Sequence, residues 1–314
     1  MRASDSPPRE RGDPAPRAAT PIRWPAEAIW QAVVPLLPGF TVEILPEIDS
    51  TNTELLRRLR SQHARQARSA EPAEPLLLVA ETQTAGRGRM GRHWLSQRED
   101  SLTFSLGLPL RIADWSGLSL AVGVSLSDSL SPQMPVAAAA GSLPVGARIG
   151  LKWPNDLWLD DGRSERKLGG ILVETAIWDG LRHVVIGVGL NIRPAIATLP
   201  DEHPGAVAPG WLQQLQADAD APGTLLRVVA PLVRDLQLFT DCGFAAFQSR
   251  FAERDVLRGR NVQLSDGSGG TACGVAENGA LRVQTSAGIQ LITSSEISVR
   301  PVGPPAATGG RIIC

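Results

Sequence analysis

Between Thr84 and Trp94 the chain reads TAGRGRMGRHW, in which Gly86, Gly88 and Gly91 alternate with Arg87, Arg89 and Arg92. Glycine lets a bound group approach the backbone N–H closely, and guanidinium supplies charge-assisted donors. The combination suits an anion, a phosphate above all. GRGRMG (86–91) also fits the G-x-G-x-x-G spacing of dinucleotide sites. That motif needs a strand before it, which PLLLVAE (75–81) supplies, and a helix opening at the glycines. GRHWLSQRED has no helical periodicity, so the dinucleotide reading fails on context. A mobile anion-binding loop and a plain exposed loop remain.

Lysine gives the second chemical signal. Of 31 basic residues, 29 are arginine and only Lys152 and Lys167 are lysine. Where arginine is the default cation, a lysine marks a place that needs a compact ammonium. Lys152 opens KWPNDLW, where Pro154 blocks a ladder bond and Asn155 and Asp156 follow at once. A strand end with a turn is one reading of this segment; the other puts Lys152 at the end of a buried strand, pointing into a pocket. Lys167 opens KLGGILVE, and GVGLNI (187–192) repeats the small-residue theme; tight sheet packing explains these two segments equally well. DSTN (49–52) has two readings. Thr51 and Glu54 fit an S/T-x-x-E capping box, and a helix start is also where hydroxyls and N–H groups hold a small polar ligand.

The elements that must carry these groups follow from periodicity. PAEAIWQAVVPLL, DSTNTELLRRLRSQHARQ and SGLSLAVGVSLSDSL read as helices. TVEILPEID, PLLLVAE, SLTFSLGL, ARIGLKWPNDLWLD, GGILVETAIW and HVVIGVGLNI read as strands. Apolar residues from Leu225 to Leu236 fall at helical spacing, with Pro231 expected to start or kink that helix. Phe244, Phe247 and Phe251 continue a helical stripe that Gly259 stops. NVQLS, TACGVA, ALRVQT, IQLIT and EISVR then read as five short strands of a small barrel. The expected layout is a disordered tail (1–22), a main domain (23–258), a small β domain (259–301) and a second tail (302–314). WLQQLQ supplies a helical turn in an otherwise irregular link, and 132–147 reads as a loop.

Composition narrows the function classes. A net charge of −1 argues against a general nucleic-acid binder. No apolar run reaches membrane-spanning length, and the N-terminus lacks the apolar core of a signal peptide. Cys242, Cys273 and Cys314 are few and far apart, which suits a reducing compartment without structural disulfides. The four histidines show no metal-ligand spacing.

DSTN, ETQTAGRGRMGRHW (81–94), KWPNDLW, KLGGILVE and GVGLNI stand in the order, and with the residue types, of the biotin–protein ligase family, which this chain resembles over roughly residues 40 to 301. EISVR (296–300) resembles that family's end domain. The resemblance implies an α+β fold: a mixed-sheet catalytic domain like that of class II aminoacyl-tRNA synthetases, with a C-terminal SH3-like barrel. It implies an enzyme that activates biotin with ATP and Mg2+ to biotinyl-5′-AMP. Biotin then passes to a lysine on the biotin carboxyl carrier protein of acetyl-CoA carboxylase or a related carboxylase. By resemblance, Ser50, Thr51, Asn52, Gln83, Arg87, Gly88, Arg89 and Lys152 bind biotin and the adenylate, with Lys152 and Arg89 as the catalytic pair. No protein-held metal is implied. Met90 stands where relatives often carry another arginine, and the Pro/Arg-rich start replaces the DNA-binding domain of some members, so no operator binding is expected. A cytoplasmic location with no membrane association is expected, with homodimerisation left open. The competing readings are a lipoate or octanoate ligase of the same superfamily and a non-catalytic biotin-binding module.

Overall fold

The computed structural model describes residues 21–65, 74–112, 114–131, 148–161, 164–178, 181–195, 207–293 and 299–302. Most of the two expected tails and the expected loop at 132–147 lie outside the described residues.

Seven strands form one mixed sheet. They are β1 (Thr41–Ile48), β2 (Leu76–Gln83), β3 (Ser101–Pro109), β4 (Arg148–Lys152), β5 (Asp156–Asp160), β6 (Glu165–Trp178) and β7 (Leu181–Asn191), in the order β1-β2-β3-β7-β6-β5-β4. β1 and β2 run parallel, and the other neighbours are antiparallel. Four helices flank the sheet: α1 (Ala26–Val33), α2 (Thr51–Arg65), α3 (Leu118–Leu130) and α4 (Ala221–Cys242). α1, α3 and α4 pack together on one face and build the main core. α2 covers the other face, where Leu55 and Leu56 meet Leu78 and Val185.

The two faces are written into the strands with period two. In β3, Leu102, Phe104, Leu106 and Leu108 enter the main core. Thr103, Ser105 and Gly107 alternate with them and face the α2 side, where a Cβ at Gly107 would sit 3.2 Å from Leu55. In β7, Val184, Ile186, Val188 and Leu190 enter the main core, which leaves Gly187, Gly189 and Asn191 on the α2 side. The sheet therefore offers small and polar residues to one surface only, and that is where the site forms.

Two expectations need correction. ARIGLKWPNDLWLD is not one strand. It is the β4–β5 hairpin, with Trp153, Pro154 and Asn155 as its turn and a cis Trp153–Pro154 bond. Proline has no N–H to give a ladder, so it falls where the ladder turns. Pro231 does not start α4, which begins at Ala221 with the Asp220 carboxylate accepting the Gly223 N–H at 2.7 Å and carries Pro231 inside it. Nine residues from Ala221 to Phe239 are buried along this helix, and that tertiary packing outweighs one lost backbone bond.

After α4, a 3-10 turn (Phe244–Phe247) and α5 (Gln248–Ala252) bury Phe244, Phe247 and Phe251, so the aromatic stripe is divided between two short pieces. Gly259, at φ +79°, closes this region. β8 (Asn261–Leu264), β9 (Gly269–Val275), β10 (Leu281–Thr285), β11 (Gly288–Ile292) and β12 (Val299–Pro301) then form an antiparallel sheet in the order β11-β10-β9-β8-β12. It is fastened to the main sheet by the Arg260–Glu165 ion pair at 2.7 Å and by the Trp153 indole N–H donating to the Gly279 carbonyl at 3.0 Å. Cys242 is a free, exposed thiol. Among the described residues, no helix is long and apolar enough to cross a membrane.

Candidate active site

DSTN leads into α2, with the Glu54 N–H donating to the Ser50 carbonyl at 2.9 Å. The capping box does not form. The Thr53 N–H reaches Ser50 Oγ at 3.4 Å, and Glu54 pairs with Arg57 and Arg58 instead of turning back. Thr51 is thereby released for other bonds. Its N–H donates to Gln83 Oε1 at 2.8 Å, and its hydroxyl lies 2.7 Å from Ser105 Oγ. Asn52 accepts the Ser105 hydroxyl at 2.6 Å and donates through Nδ2 to Glu174 at 3.0 Å and to the Leu172 carbonyl at 3.2 Å. Ser50, Thr51 and Asn52 are each under 5% exposed. Polar side chains this deep are tolerated because they bond to one another across three strands.

The glycine-arginine segment folds as a small hairpin. The Gly88 N–H donates to the Arg92 carbonyl at 2.7 Å, and the Trp94 N–H to the Gly86 carbonyl at 2.9 Å. A short 3-10 turn, Arg89–Gly91, forms its tip, with Met90 at φ +56° and Gly91 at φ +71°. The Gly88 N–H is thus engaged within the loop, and what the segment presents to an anion is its guanidinium groups. Arg89 donates to Asn155 Oδ1 at 3.2 Å. Burial pulls the Arg89 guanidinium below its ordinary pKa, Asp156 opposes this and Arg92 adds to it. Arg87 donates to Glu174 and to Thr53, both at 3.3 Å.

The two lysines meet on one carboxylate. Lys167 Nζ lies 2.9 Å and Lys152 Nζ 3.8 Å from Asp156, and Lys152 also sits 5.6 Å from the centre of the Trp158 ring. Burial pulls the Lys152 ammonium below the usual lysine range; Asp156 counters it, while Lys167, Arg92 and Arg89 reinforce it. Burial alone would raise Asp156, but Lys167 and Lys152, helped by Arg92, hold its carboxyl below the ordinary value. Lys167 reaches this face through a bulge. Leu157 pairs with Gly169 but Trp158 pairs with Lys167, which leaves Leu168 as an extra residue that drops into the core.

These groups line one cleft of about 500 Å³. Of the eight residues expected in the site, seven line it, and Thr51 lies behind them in the hydrogen-bonded layer. Its walls include six Lys or Arg side chains (Arg87, Arg89, Arg92, Lys152, Lys167 and Arg193) against two carboxylates, Asp100 and Asp156. Asp100 is taken up by Arg193 at 2.6 Å. The excess of cations makes the cleft a site for a ligand with several negative charges. One wall is apolar and close: a Cβ at Gly189 would overlap the Trp94 ring, and one at Gly187 would overlap the Asn52 amide. Trp94 is a cleft wall, whereas Trp153 is fully buried core.

Five cleft residues stand outside the expected set. Asn155, Asp156, Lys167, Asn191 and Trp211 all line the cleft, the first three from segments the sequence had already marked. Trp211 arrives because residues 208–210 bond to Lys167 as an isolated parallel bridge, with Lys167 N–H to Ala208 O and Gly210 N–H to Lys167 O both at 2.9 Å. Glu174, which holds both Asn52 and Arg87, stood at the end of KLGGILVE and was not singled out. Among the described residues, no group of three or more His, Cys, Asp or Glu side chains could hold a metal ion.

Residues 45–191 match the family model described as the biotin/lipoate A/B protein ligase family, and residues 259–300 match the biotin protein ligase C-terminal domain. The chain is 32% identical over 273 residues to the bifunctional ligase/repressor BirA of Escherichia coli, covering 84% of this chain and 75% of that protein. It is 30% identical to the biotin–[acetyl-CoA-carboxylase] ligase of Paracoccus denitrificans, covering 81% of this chain and 98% of that one. The fold matches the biotin protein ligase from Aquifex aeolicus in complex with biotin and ATP, with a TM-score of 0.63 and 27% identity over 83% of this chain and 99% of that one.

Proposed function

This chain belongs to the biotin/lipoate A/B protein ligase family, and from that premise we propose that it is the biotin–protein ligase whose two half-reactions share the cleft described above. It activates biotin with ATP and transfers it to a carboxylase carrier. The observation that carries the assignment of residues is the convergence of Lys152, Lys167, Arg89 and Arg92 around Asp156, beside the narrow Gly187–Gly189–Trp94 wall.

In the first half-reaction a carboxylate oxygen of biotin attacks the α-phosphorus of ATP and pyrophosphate leaves. Two anions must be brought together, so most of the catalytic work is positioning and compensation of charge. The polar layer of Ser50, Asn52 and Gln83 suits the ureido end of biotin, and the Trp94 ring, packed on Gly189, gives an apolar wall for its ring system. Lys167, about a third exposed, is the ammonium better placed for the reacting carboxylate; Lys152, only 12% exposed, supports it from behind through Asp156. Arg89, fixed by Asn155, faces the phosphate side. Trp211 offers an aromatic surface on the cleft wall for the adenine base. Mg2+ would enter with ATP, held mainly by phosphate oxygens and water as that ion prefers, and would offset the phosphate charge.

In the second half-reaction the amine nitrogen of a carrier lysine attacks the acyl carbon, the bond to AMP breaks and the amine loses a proton. The hairpin of residues 86–94 stands over the mixed anhydride and limits its exposure to water. β5 pairs with β6 as far as Gly170, and Asn155 takes up the Ile171 N–H and carbonyl, both at 2.9 Å; beyond Ile171, β6 has no strand partner on that edge among the described residues, and an extended carrier segment can lie there. The deciding experiment is ATP–pyrophosphate exchange on the purified protein with biotin, lipoate and octanoate in parallel. Exchange with biotin alone is expected. Exchange with lipoate or octanoate instead reassigns the acid, and no exchange with any acid removes the enzyme reading.

A further inference from the structure

Glu174 takes no part in the two half-reactions as described, yet its carboxylate bonds two parts of the acid-binding wall that come from different elements. One oxygen accepts Asn52 Nδ2 at 3.0 Å and the other accepts Arg87 Nη2 at 3.3 Å. Asn52 belongs to the first turn of α2, Arg87 to the glycine-arginine hairpin and Glu174 to β6. Without Glu174, Arg87 keeps one bond, to Thr53, and half its side chain is exposed. We propose that Glu174 is a positioning residue for biotin, fixing the orientation of the Asn52 amide and drawing Arg87 across the rim of the acid-binding end of the cleft. This rests on the functional reading above.

The argument for Asn52 concerns which way its amide faces. Its Oδ1 lies against Gly187 and accepts from Ser105 at 2.6 Å, while its Nδ2 meets two acceptors, the Leu172 carbonyl and the Glu174 carboxylate. Turning the amide over would put an oxygen against those two acceptors, one of them charged, and that arrangement is penalised as an unpaired buried polar group. The argument for Arg87 concerns charge. Arg89, Arg92, Lys152 and Lys167 crowd the same cleft, so a further cation is repelled outward unless a carboxylate holds it in place, as Asp100 holds Arg193. Glu174 is the partner that does so, and it stands outside the cleft wall, where it does not repel the incoming carboxylate.

The test measures biotin binding by calorimetry and biotin-dependent exchange kinetics on the full chain. Glu174→Ala should raise the Kd and KM for biotin about tenfold, as expected for the loss of hydrogen bonds to charged groups. The KM for ATP should be unchanged and kcat should stay within about twofold. Glu174→Gln, nearly the same shape, retains one acceptor oxygen but turns an NH2 toward one of its two donors, so it should raise the KM less than the alanine variant. In an Arg87→Ala background the Glu174→Ala effect should shrink to about threefold or less, because only the Asn52 contact is left to lose. An undiminished effect in that background, or a matched loss in kcat and in both KM values, overturns the positioning role. If the wild type binds and activates biotin and Glu174→Ala equals it, this inference alone fails. A wild type that does neither overturns the functional reading together with it.

Discussion

Replacing Asp255 with asparagine should make the protein more stable above neutral pH and leave it unchanged in acid. Asp255 lies in the segment that joins the main sheet to the small one. Its neighbours bond to β4, with the Leu151 N–H donating to the Arg254 carbonyl at 2.7 Å and the Val256 N–H to the Leu151 carbonyl at 3.1 Å. One carboxyl oxygen accepts the Leu257 N–H at 2.9 Å, but the other is sealed from solvent without a partner. Burial pushes the carboxyl from 3.8 up to about 6, against the pull of the Leu257 and Arg258 N–H groups and the Arg258 charge. The sign follows from linkage: a folded-state pKa above the unfolded one means that the folded chain holds the proton more tightly. The stabilisation is therefore complete below pH 3.8 and is lost as pH rises through about 6. At about 1.4 kcal/mol per pH unit, that interval corresponds to a penalty of up to about 3 kcal/mol on the ionised wild type. The replacement amide cannot ionise, and its oxygen can still accept from the Leu257 N–H. Urea unfolding of both proteins between pH 4 and 8 should give equal stabilities at the acid end, with a gap opening in favour of Asp255→Asn as pH rises and levelling off above pH 6. A gap independent of pH, or one favouring the wild type at pH 8, would refute the claim that this carboxylate is buried without compensation.

Lys152→Gln and Lys167→Gln should each lower biotin-dependent exchange by roughly a hundredfold, the usual scale for removing one stabilising group from developing charge; a loss below fivefold in stopped assays excludes the residue from catalysis. Burial lowers the Lys152 pKa, so its ammonium loses its proton at a lower pH than a free lysine does. If that ammonium is required, exchange should decline early on the alkaline side, and Lys152→Arg should move the decline to higher pH; an unmoved limb assigns it to another group. Arg89→Gly removes the bond to Asn155 and should release the adenylate, seen as biotin on bystander lysines; an active variant that labels only its carrier shows that Arg89 does not retain the intermediate. Gly189→Ala drives a methyl into the Trp94 ring, an overlap that should cost about 1 to 3 kcal/mol of stability, read as a lowered melting temperature, and by displacing that wall should raise the Kd for biotin; an unchanged Kd removes this wall from the biotin site.

Much of the scaffold was legible because a strand buried on one face must alternate. SLTFSLGL and HVVIGVGLNI place leucine, isoleucine, valine and phenylalanine at every second position, and the glycines and hydroxyls between them can only face the other way. The motif residues were legible for a chemical reason: glycine beside arginine, and lysine in a chain that otherwise uses arginine, are costly or unusual choices without a ligand. The hairpin within LKWPNDLWL was missed because apolar residues on both sides of Pro154 look like one continuous run, although the proline itself marked the turn.

What stayed hidden depended on register and long-range partners. Counting by twos back from Gly170 puts Leu168 in the cleft and Lys167 in the core. The bulge at Leu168 reverses that assignment, and no local property of KLGG announces it. The site residues implied by the family resemblance included Lys152 and not Lys167, although the scarcity of lysine had marked both and the better exposed of the two ammonium groups is Lys167. Glu174 was hidden in a different way. A carboxylate at the end of a strand is unremarkable in sequence, and its importance lies in two donors 122 and 87 positions away. The same holds for Ser105, whose hydroxyl reads as ordinary alternation until α2 lands on it and it bridges Thr51 and Asn52. Groups that touch a ligand tend to sit in local motifs because a ligand needs unusual chemistry at one place. Groups that orient them are common residues made special by the fold, so they emerge only once the strands are in register.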